Sequence, residues 1–277
     1  MVSRRSLLRI PRGGTAAAEI DFEAAHTRVL EGWDAGPHLE LLRALEPAAE
    51  VLVELAELEP GDTVLDVGAG DGNLAIRAAA AGAEVEACDL SPAMIGRGRK
   101  RSDGAGSDIG WLVADAQDLP YGDESFDAVL SSFGASYAPR ALRTARELVR
   151  VVRPGGLVAL TAWVPRGLPG RLDELVEDVE PLPDGVLWPS AWGREAAVRR
   201  RLGPLLEDLQ LRTRTLRMSW PSPTRAFEVL TAPYWLDEYK LAALRPAFDR
   251  LLASCNDRPP EVELNARYLI VTGRRPV

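Results

Sequence analysis

The residues best suited to chemistry are gathered in Val64-Leu65-Asp66-Val67-Gly68-Ala69-Gly70-Asp71-Gly72-Asn73. An aliphatic, β-branched run from Thr63 to Val67 ends in glycines that permit a tight turn and close backbone approach, and a helix begins directly after them. That geometry makes a nucleotide site. Asp89 lies 21 residues beyond Gly68 at the end of the next strand, where an acidic side chain accepts the two hydroxyls of a ribose. Asp115 follows a third strand in Val113-Ala114-Asp115-Ala116-Gln117, well placed to meet an adenine amino group. One acid at a strand end is commonly a helix cap or a solvated turn. Three consecutive strands ending in Gly-Ala-Gly, Asp and Asp-Ala form a site, because ligands of open parallel sheets bind at the carboxyl ends of strands.

Such a site needs strands and helices in alternation. Val85 to Cys88, Ile109 to Val113, Ala128 to Ser131 and Val158 to Trp163 read as strands, and Asn73 to Ala81, Pro92 to Arg101 and Arg140 to Val152 as helices. This predicts an α/β fold of right-handed βαβ units, with helices on both faces of a parallel sheet. Upstream, Leu41, Leu45, Val51, Leu52, Leu55 and Leu58 fall at helical spacing between His38 and Glu59, with Pro47 expected to start the second helix of a pair. Pro60-Gly61-Asp62 stops that segment. After Trp163 the alternation ends in a stretch punctuated by Pro165, Pro169, Pro181, Pro183 and Pro189. Arg212 to Trp220 reads as a strand, Arg225 to Ser254 as mostly helical, and Tyr268 to Thr272 as a last strand. The expected organisation is a basic tail and N-terminal helices over 1–60, a core over 61–163, an insertion over 164–260 that covers the carboxyl edge as a lid, and a final strand over 261–277.

Composition narrows the class. With 277 residues, 46% hydrophobic and 27% charged, the chain builds a sizeable core, which excludes disorder as the main state. No window approaches ~18 uninterrupted apolar residues, so no transmembrane span is expected. A net charge of −8 argues against a nucleic-acid partner. Cys88 and Cys255 are too few for a disulfide scaffold or a cysteine-built metal site, which fits the reducing cytoplasm. Ser3-Arg4-Arg5-Ser6-Leu7-Leu8-Arg9 has the look of a twin-arginine export signal, but Pro11, Arg12, Gly13, Gly14, Glu19 and Asp21 interrupt the apolar segment that such a signal requires.

Asp66-Val67-Gly68-Ala69-Gly70-Asp71-Gly72, Cys88-Asp89-Leu90-Ser91 with Met94, Asp115-Ala116, Phe126-Asp127-Ala128-Val129 and Val152-Arg153-Pro154-Gly155-Gly156 together resemble the ordered motifs of class I S-adenosylmethionine-dependent methyltransferases. Within that superfamily the chain is similar to the small-molecule branch that includes the ubiquinone and menaquinone C-methyltransferases. The resemblance covers about residues 61–163. It implies a Rossmann-like three-layer αβα sandwich whose seven-stranded, mostly parallel sheet ends in an antiparallel strand, with S-adenosyl-L-methionine as cofactor and S-adenosylhomocysteine as product. It also implies roles: the Gly68-Ala69-Gly70 backbone faces the methionine part, Asp66 orients the loop from beneath, and Asp89 takes the ribose. Leu90 and Met94 flank the adenine, Asp115 and Ala116 meet its edge, and Ser131, Ser132 and Phe133 line the floor where donor and acceptor meet. The motif argues against a nicotinamide enzyme, because the glycines at 68, 70 and 72 do not follow the dinucleotide fingerprint and Asp71 would face phosphates.

A sulfonium methyl is already activated, so the protein has mainly to align nucleophile, methyl and sulfur. Where the acceptor must lose a proton, the candidate bases are His26 and His38, the two histidines of the chain, and Tyr137. Ser131-Ser132-Phe133-Gly134 replaces the Asn-Pro-Pro-Tyr pattern of nucleic-acid and protein amide methylation, and no metal is implied. The expected partner is a small, fairly apolar methyl acceptor, taken on O, C or N. Two alternatives stay open: a cofactor-binding protein of this fold that transfers no methyl, and an NAD(P)-dependent oxidoreductase. Trp188, Trp192, Trp220, Tyr234 and Trp235 crowd the insertion, as local core or as a lid over an apolar acceptor. Arg194, Arg199, Arg200, Arg201, Arg212, Arg214 and Arg217 read as a solvated face in preference to an anion site.

Overall fold

The structure is a computed structural model and describes residues 22–35 and 38–277; the arginine-rich segment Ser3 to Arg9 lies outside them. Seven strands form one sheet: β1 (Thr63–Val67), β2 (Glu84–Asp89), β3 (Ile109–Val113), β4 (Phe126–Ser132), β5 (Val152–Trp163), β6 (Glu207–Trp220) and β7 (Val262–Arg274). Their order is β3-β2-β1-β4-β5-β7-β6. The first five run parallel, and β7 is antiparallel to both of its neighbours. This is the expected three-layer sandwich with its antiparallel last strand.

The period-two pattern of the central strands explains the layers. Val64, Ala128, Leu130 and Ala159 belong to the core on one face, while Leu65, Val67, Val129, Val158 and Leu160 belong to the core on the other. Both faces are covered, as a parallel sheet requires. On the first face lie α2 (Leu39–Ala56) and α3 (Ala75–Ala80); on the second lie α5 (Ala141–Arg150) and α7 (Glu195–Leu202). In α5 the buried residues are Thr144, Ala145, Leu148 and Val149, an i, i+1, i+4, i+5 stripe facing the sheet.

One local expectation is corrected and another is refined. Pro47 starts no second helix; it sits inside the unbroken α2, whose buried face runs through Leu41, Leu45, Ala48, Ala49 and Leu52 on both sides of it. Continuous packing of that face offsets the one N–H bond that proline cannot make. The stretch from Arg225 to Ser254 is two helices, α8 (Pro223–Thr231) and α9 (Glu238–Ala253), separated by a 3-10 turn over Ala232–Tyr234. Pro233 lies in that turn.

The remaining helices are tied to this framework and to one another. The first, α1 (Phe22–Ala35), is tied at its end to α4 (Pro92–Ala105). There Asp34 Oδ1 accepts the Ser91 hydroxyl at 2.9 Å and the Ala93 N–H at 3.1 Å, beside the Ser91 Oγ that caps Met94 N–H. Arg28 joins α1 to the insertion through Glu180 at 2.6 Å, and Lys240 of α9 pairs with the same carboxylate. The insertion begins with α6 (Leu168–Glu177), which packs against α9. Among the described residues no helix is long and apolar enough to cross a membrane.

Candidate active site

The strand order reverses beside β1: β2 lies on one side and β4 on the other. The loops leaving β1 and β4 therefore part there, and a ligand cleft opens at this switch point. The two loops touch backbone to backbone. Gly68 has φ +68°, and a Cβ built on it would stand 2.6 Å from Gly134 Cα. Phe133, just before Gly134, is held at φ 66°, an uncommon value for a large side chain that concentrates at functional sites. Its N–H donates to Thr161 Oγ1 at 3.0 Å, and its ring stacks on Trp163 at 4.1 Å.

The cleft holds about 990 Å³ of space between protein atoms, open mouth included. The structure brings Asp66, Gly68, Ala69, Gly70, Asp89, Leu90, Asp115, Ala116, Ser132, Phe133, His26 and Tyr137 together on its walls. Three of the residues expected there stand outside the lining. Met94 is buried beneath the start of α4. Ser131 is buried too, its hydroxyl donating to Val67 O at 2.6 Å and accepting Ala135 N–H at 2.9 Å, so it clamps the two loops from behind. His38 is wholly enclosed, with Nε2 at 2.7 Å from Gly32 O and its ring 4.7 Å from that of Trp33.

The acids are each held by backbone. Asp89 Oδ2 accepts Gly70 N–H at 2.8 Å and Oδ1 accepts Ser91 N–H at 2.9 Å, so one carboxylate shapes the glycine loop and the next helix start. Burial pushes its carboxyl up from the ordinary range, and these N–H groups hold it back. Asp115 accepts from Gln117 N–H at 2.8 Å and lies 3.1 Å from His26 Nε2. Asp66 Oδ2 accepts Ala75 N–H at 3.0 Å, while Oδ1 is buried without a partner. Asp71 turns away to Arg101 at 3.0 Å.

Sequence reasoning missed Trp33, Leu42 and Leu45, which line the cleft from α1 and α2. Helical periodicity marked an apolar face there and carried no signal of what that face would meet. The insertion aromatics divide. Trp192 and Trp220 are core, Trp235 is exposed, and Trp188 stands 5.7 Å from Tyr234 in a second cavity. The arginines divide as well: Arg199 and Arg200 are exposed on α7, Arg212, Arg214 and Arg217 on β6, and Arg201 is buried over Trp192 at 5.1 Å.

Residues 64–156 match a family model described as a methyltransferase domain. The chain is also 38% identical over 196 residues to an uncharacterized protein of Mycobacterium tuberculosis, covering 70% of this chain and 72% of that one. The chain belongs to the methyltransferase family. A demethylmenaquinone methyltransferase of Clavibacter sepedonicus is 43% identical over 101 residues, 36% of this chain and 40% of that protein. A Haemonchus contortus phosphoethanolamine N-methyltransferase, solved with S-adenosylhomocysteine, superposes with a TM-score of 0.55 at 18% identity, over 83% of this chain and 53% of that one.

That neighbour was solved with S-adenosylhomocysteine, and the residues on the walls of this cleft suit a molecule of that class. The buried Asp66 Oδ1, which has no hydrogen-bond partner, leaves a polar position on the cleft wall for the amino group of the methionine part. Burial raises Asp66 to about 8. Folded, it keeps its proton up to that pH; unfolded, it loses it near 3.8, so between the two values the folded chain binds the extra proton and stability falls as pH rises. Asp66→Asn is expected to flatten this dependence. Urea unfolding of cofactor-free protein at pH 5.5 and 8.5 checks it, and a parallel loss in wild type and variant would refute it.

His38 is expected to matter for stability alone. His38→Ala removes a fully buried ring and orphans Gly32 O, at a cost of about 2–3 kcal/mol. Chemical denaturation measures this; unchanged stability would contradict the enclosed position.

Proposed function

We propose that the enzyme transfers a methyl group from S-adenosylmethionine directly, in line, to an oxygen, carbon or nitrogen of a small, fairly apolar metabolite in the cytoplasm. The observation that carries the reading is the cleft itself, whose walls bring the glycine turn, Asp89 and Asp115 together with the apolar Val29, Leu30 and Trp33 of α1. When bound, the cofactor supplies an electrophilic methyl on a good leaving group. The Gly68-Ala69-Gly70 backbone and Asp66 would hold its amino-acid part, Asp89 its ribose, Leu90 the adenine face, and Asp115 with Ala116 the adenine edge. Ser132 and Phe133 would form the floor beneath the transferring carbon, with Met94 and Ser131 supporting from behind. Residues 164–260, with α1, would close over the acceptor and exclude water. The menaquinone-type relative supports an apolar acceptor, and the two free cysteines support a reducing compartment.

Calorimetric titration with S-adenosylmethionine and S-adenosylhomocysteine tests the cofactor half, with micromolar binding of both expected. Transfer of label from methyl-tritiated S-adenosylmethionine to a panel of apolar and charged small molecules tests the acceptor half. Labelling of charged acceptors alone would overturn it.

A further inference from the structure

A second cavity adjoins the cofactor cleft. It shares Val29, Tyr137 and Pro139 with that cleft, holds about 500 Å³ of space between protein atoms, open mouth included, and is walled beyond them by Leu182, Val186, Leu187, Trp188 and Tyr234. Its walls are mostly apolar. Among the described residues that line it, the cation is Arg28, which is engaged by Glu180 and by the carbonyls of Glu180 and Pro181. Tyr234, on that wall, donates its hydroxyl proton to Asp173 Oδ1 at 2.6 Å, and Asp173 Oδ2 accepts Ser190 N–H at 3.2 Å. Asp173 is 5% exposed on α6. A carboxylate placed there, wired to a tyrosine that faces a cavity next to the methyl donor, is costly to bury for structural reasons alone.

Resting on the methyltransferase reading of the adjoining cleft, we propose that this chamber receives the acceptor, that the acceptor is a neutral, flat apolar molecule presenting a phenolic hydroxyl, and that Tyr234 backed by Asp173 removes its proton. The acceptor oxygen forms a bond to the methyl carbon as the carbon–sulfur bond breaks and sulfur keeps the electron pair. The hydroxyl proton passes to Tyr234 Oη while the tyrosine proton passes to Asp173. A neutral hydroxyl, a sulfonium and a carboxylate thus become a methyl ether, a thioether and a carboxylic acid, and charge balances. Tyr234 is the catalytic residue here and Asp173 its positioning residue. Among the described residues the chamber wall carries Arg28 as its cation, already engaged by Glu180, and this favours a neutral acceptor.

The groups around Asp173 are consistent with a proton sink. Burial raises its carboxyl to about 6, the Ser190 and Tyr234 hydrogen bonds oppose that, and Glu174 on the same helix adds a like charge. Tyr137, on the boundary of the two cavities, and Tyr234 both feel the Asp173 charge and are pushed up by burial, so both stay protonated donors at neutral pH.

The test uses the full chain with methyl-tritiated S-adenosylmethionine and three phenols, 7-hydroxycoumarin, 2-naphthol and quercetin, with coumarin and naphthalene as partners lacking the hydroxyl. Calorimetry with S-adenosylhomocysteine runs on the same preparations. Label is expected in at least one phenol and in neither control. Tyr234→Phe should lower kcat/KM by about 100-fold, the usual worth of a positioned proton acceptor, with S-adenosylhomocysteine affinity unchanged. Wild-type activity should fall below pH 6, and Asp173→Asn should abolish that acid limb. Absence of label from all three phenols, full activity of Tyr234→Phe, or an acid limb retained in Asp173→Asn would each overturn the proposal while cofactor binding persists. Failure of folded protein to bind S-adenosylhomocysteine would instead remove the reading beneath it.

Discussion

Asp89→Ala is expected to weaken S-adenosylmethionine binding by at least about 100-fold while leaving the fold in place. Two effects combine. The carboxylate is the only side chain at the end of β2 able to accept a pair of ribose hydroxyls, and each charge-assisted hydrogen bond contributes about 1.5–3 kcal/mol. The same oxygens also hold Gly70 N–H and Ser91 N–H, so the variant frees the glycine loop and loosens the entry to α4. At about 1.4 kcal/mol per tenfold, two such bonds account for a hundredfold or more. Ser91 still caps α4 through its own hydroxyl, and for that reason the fold should survive. Calorimetry on the purified variant, with circular dichroism as the folding control, measures the effect. A dissociation constant within threefold of wild type would remove Asp89 from the ribose site.

Gly68→Ala should damage binding and stability together. Its φ of +68° is unfavourable for alanine by roughly 1–2 kcal/mol. The added Cβ would also meet Gly134 Cα at 2.6 Å and Gly134 C at 2.8 Å, and backbone cannot rotate aside as a long side chain can. Relieving that overlap costs about another 1–3 kcal/mol and must part the loops after β1 and β4, which together make the floor of the cleft. A loss of about 3 kcal/mol corresponds to a melting temperature lower by roughly 6–12 °C in a domain of this size. Thermal unfolding without and with S-adenosylhomocysteine gives both numbers. Wild-type stability combined with wild-type cofactor stabilisation would show that the loops do not need their close contact. Gly61, also at positive φ but with nothing near its missing Cβ, provides the control in which alanine meets only the backbone term.

That Gly68, Asp89 and Asp115 would meet at one cleft was legible because each lies at or just after the end of a strand, and parallel strands side by side deliver their carboxyl ends to one edge whatever covers them. Asp71, read from the sequence as an acid badly placed beside phosphates, is paired with Arg101. Other features were not legible. Leu41 and Leu45 announced a helix, but the unbroken run through Pro47 depended on a continuous buried face that only the neighbours of α2 supply. His26 and His38 looked equivalent, yet one meets Asp115 on the cleft wall and the other is enclosed against Gly32 and Trp33.

What the amino-acid order determined by itself was the strand–helix alternation, the sheet it implies and the cofactor loop, since each follows from periodicity and turn chemistry within a few residues. What only the tertiary structure decided was the second cavity. Val29, Tyr137, Asp173, Trp188 and Tyr234 come from five segments spread over more than 200 residues, and they meet because α1 packs against the turn at Ala232–Tyr234 while Tyr234 bonds to Asp173 of α6. Periodicity says which face of an element is buried. It does not say which other face lies opposite, and that choice is made by packing summed over the whole chain.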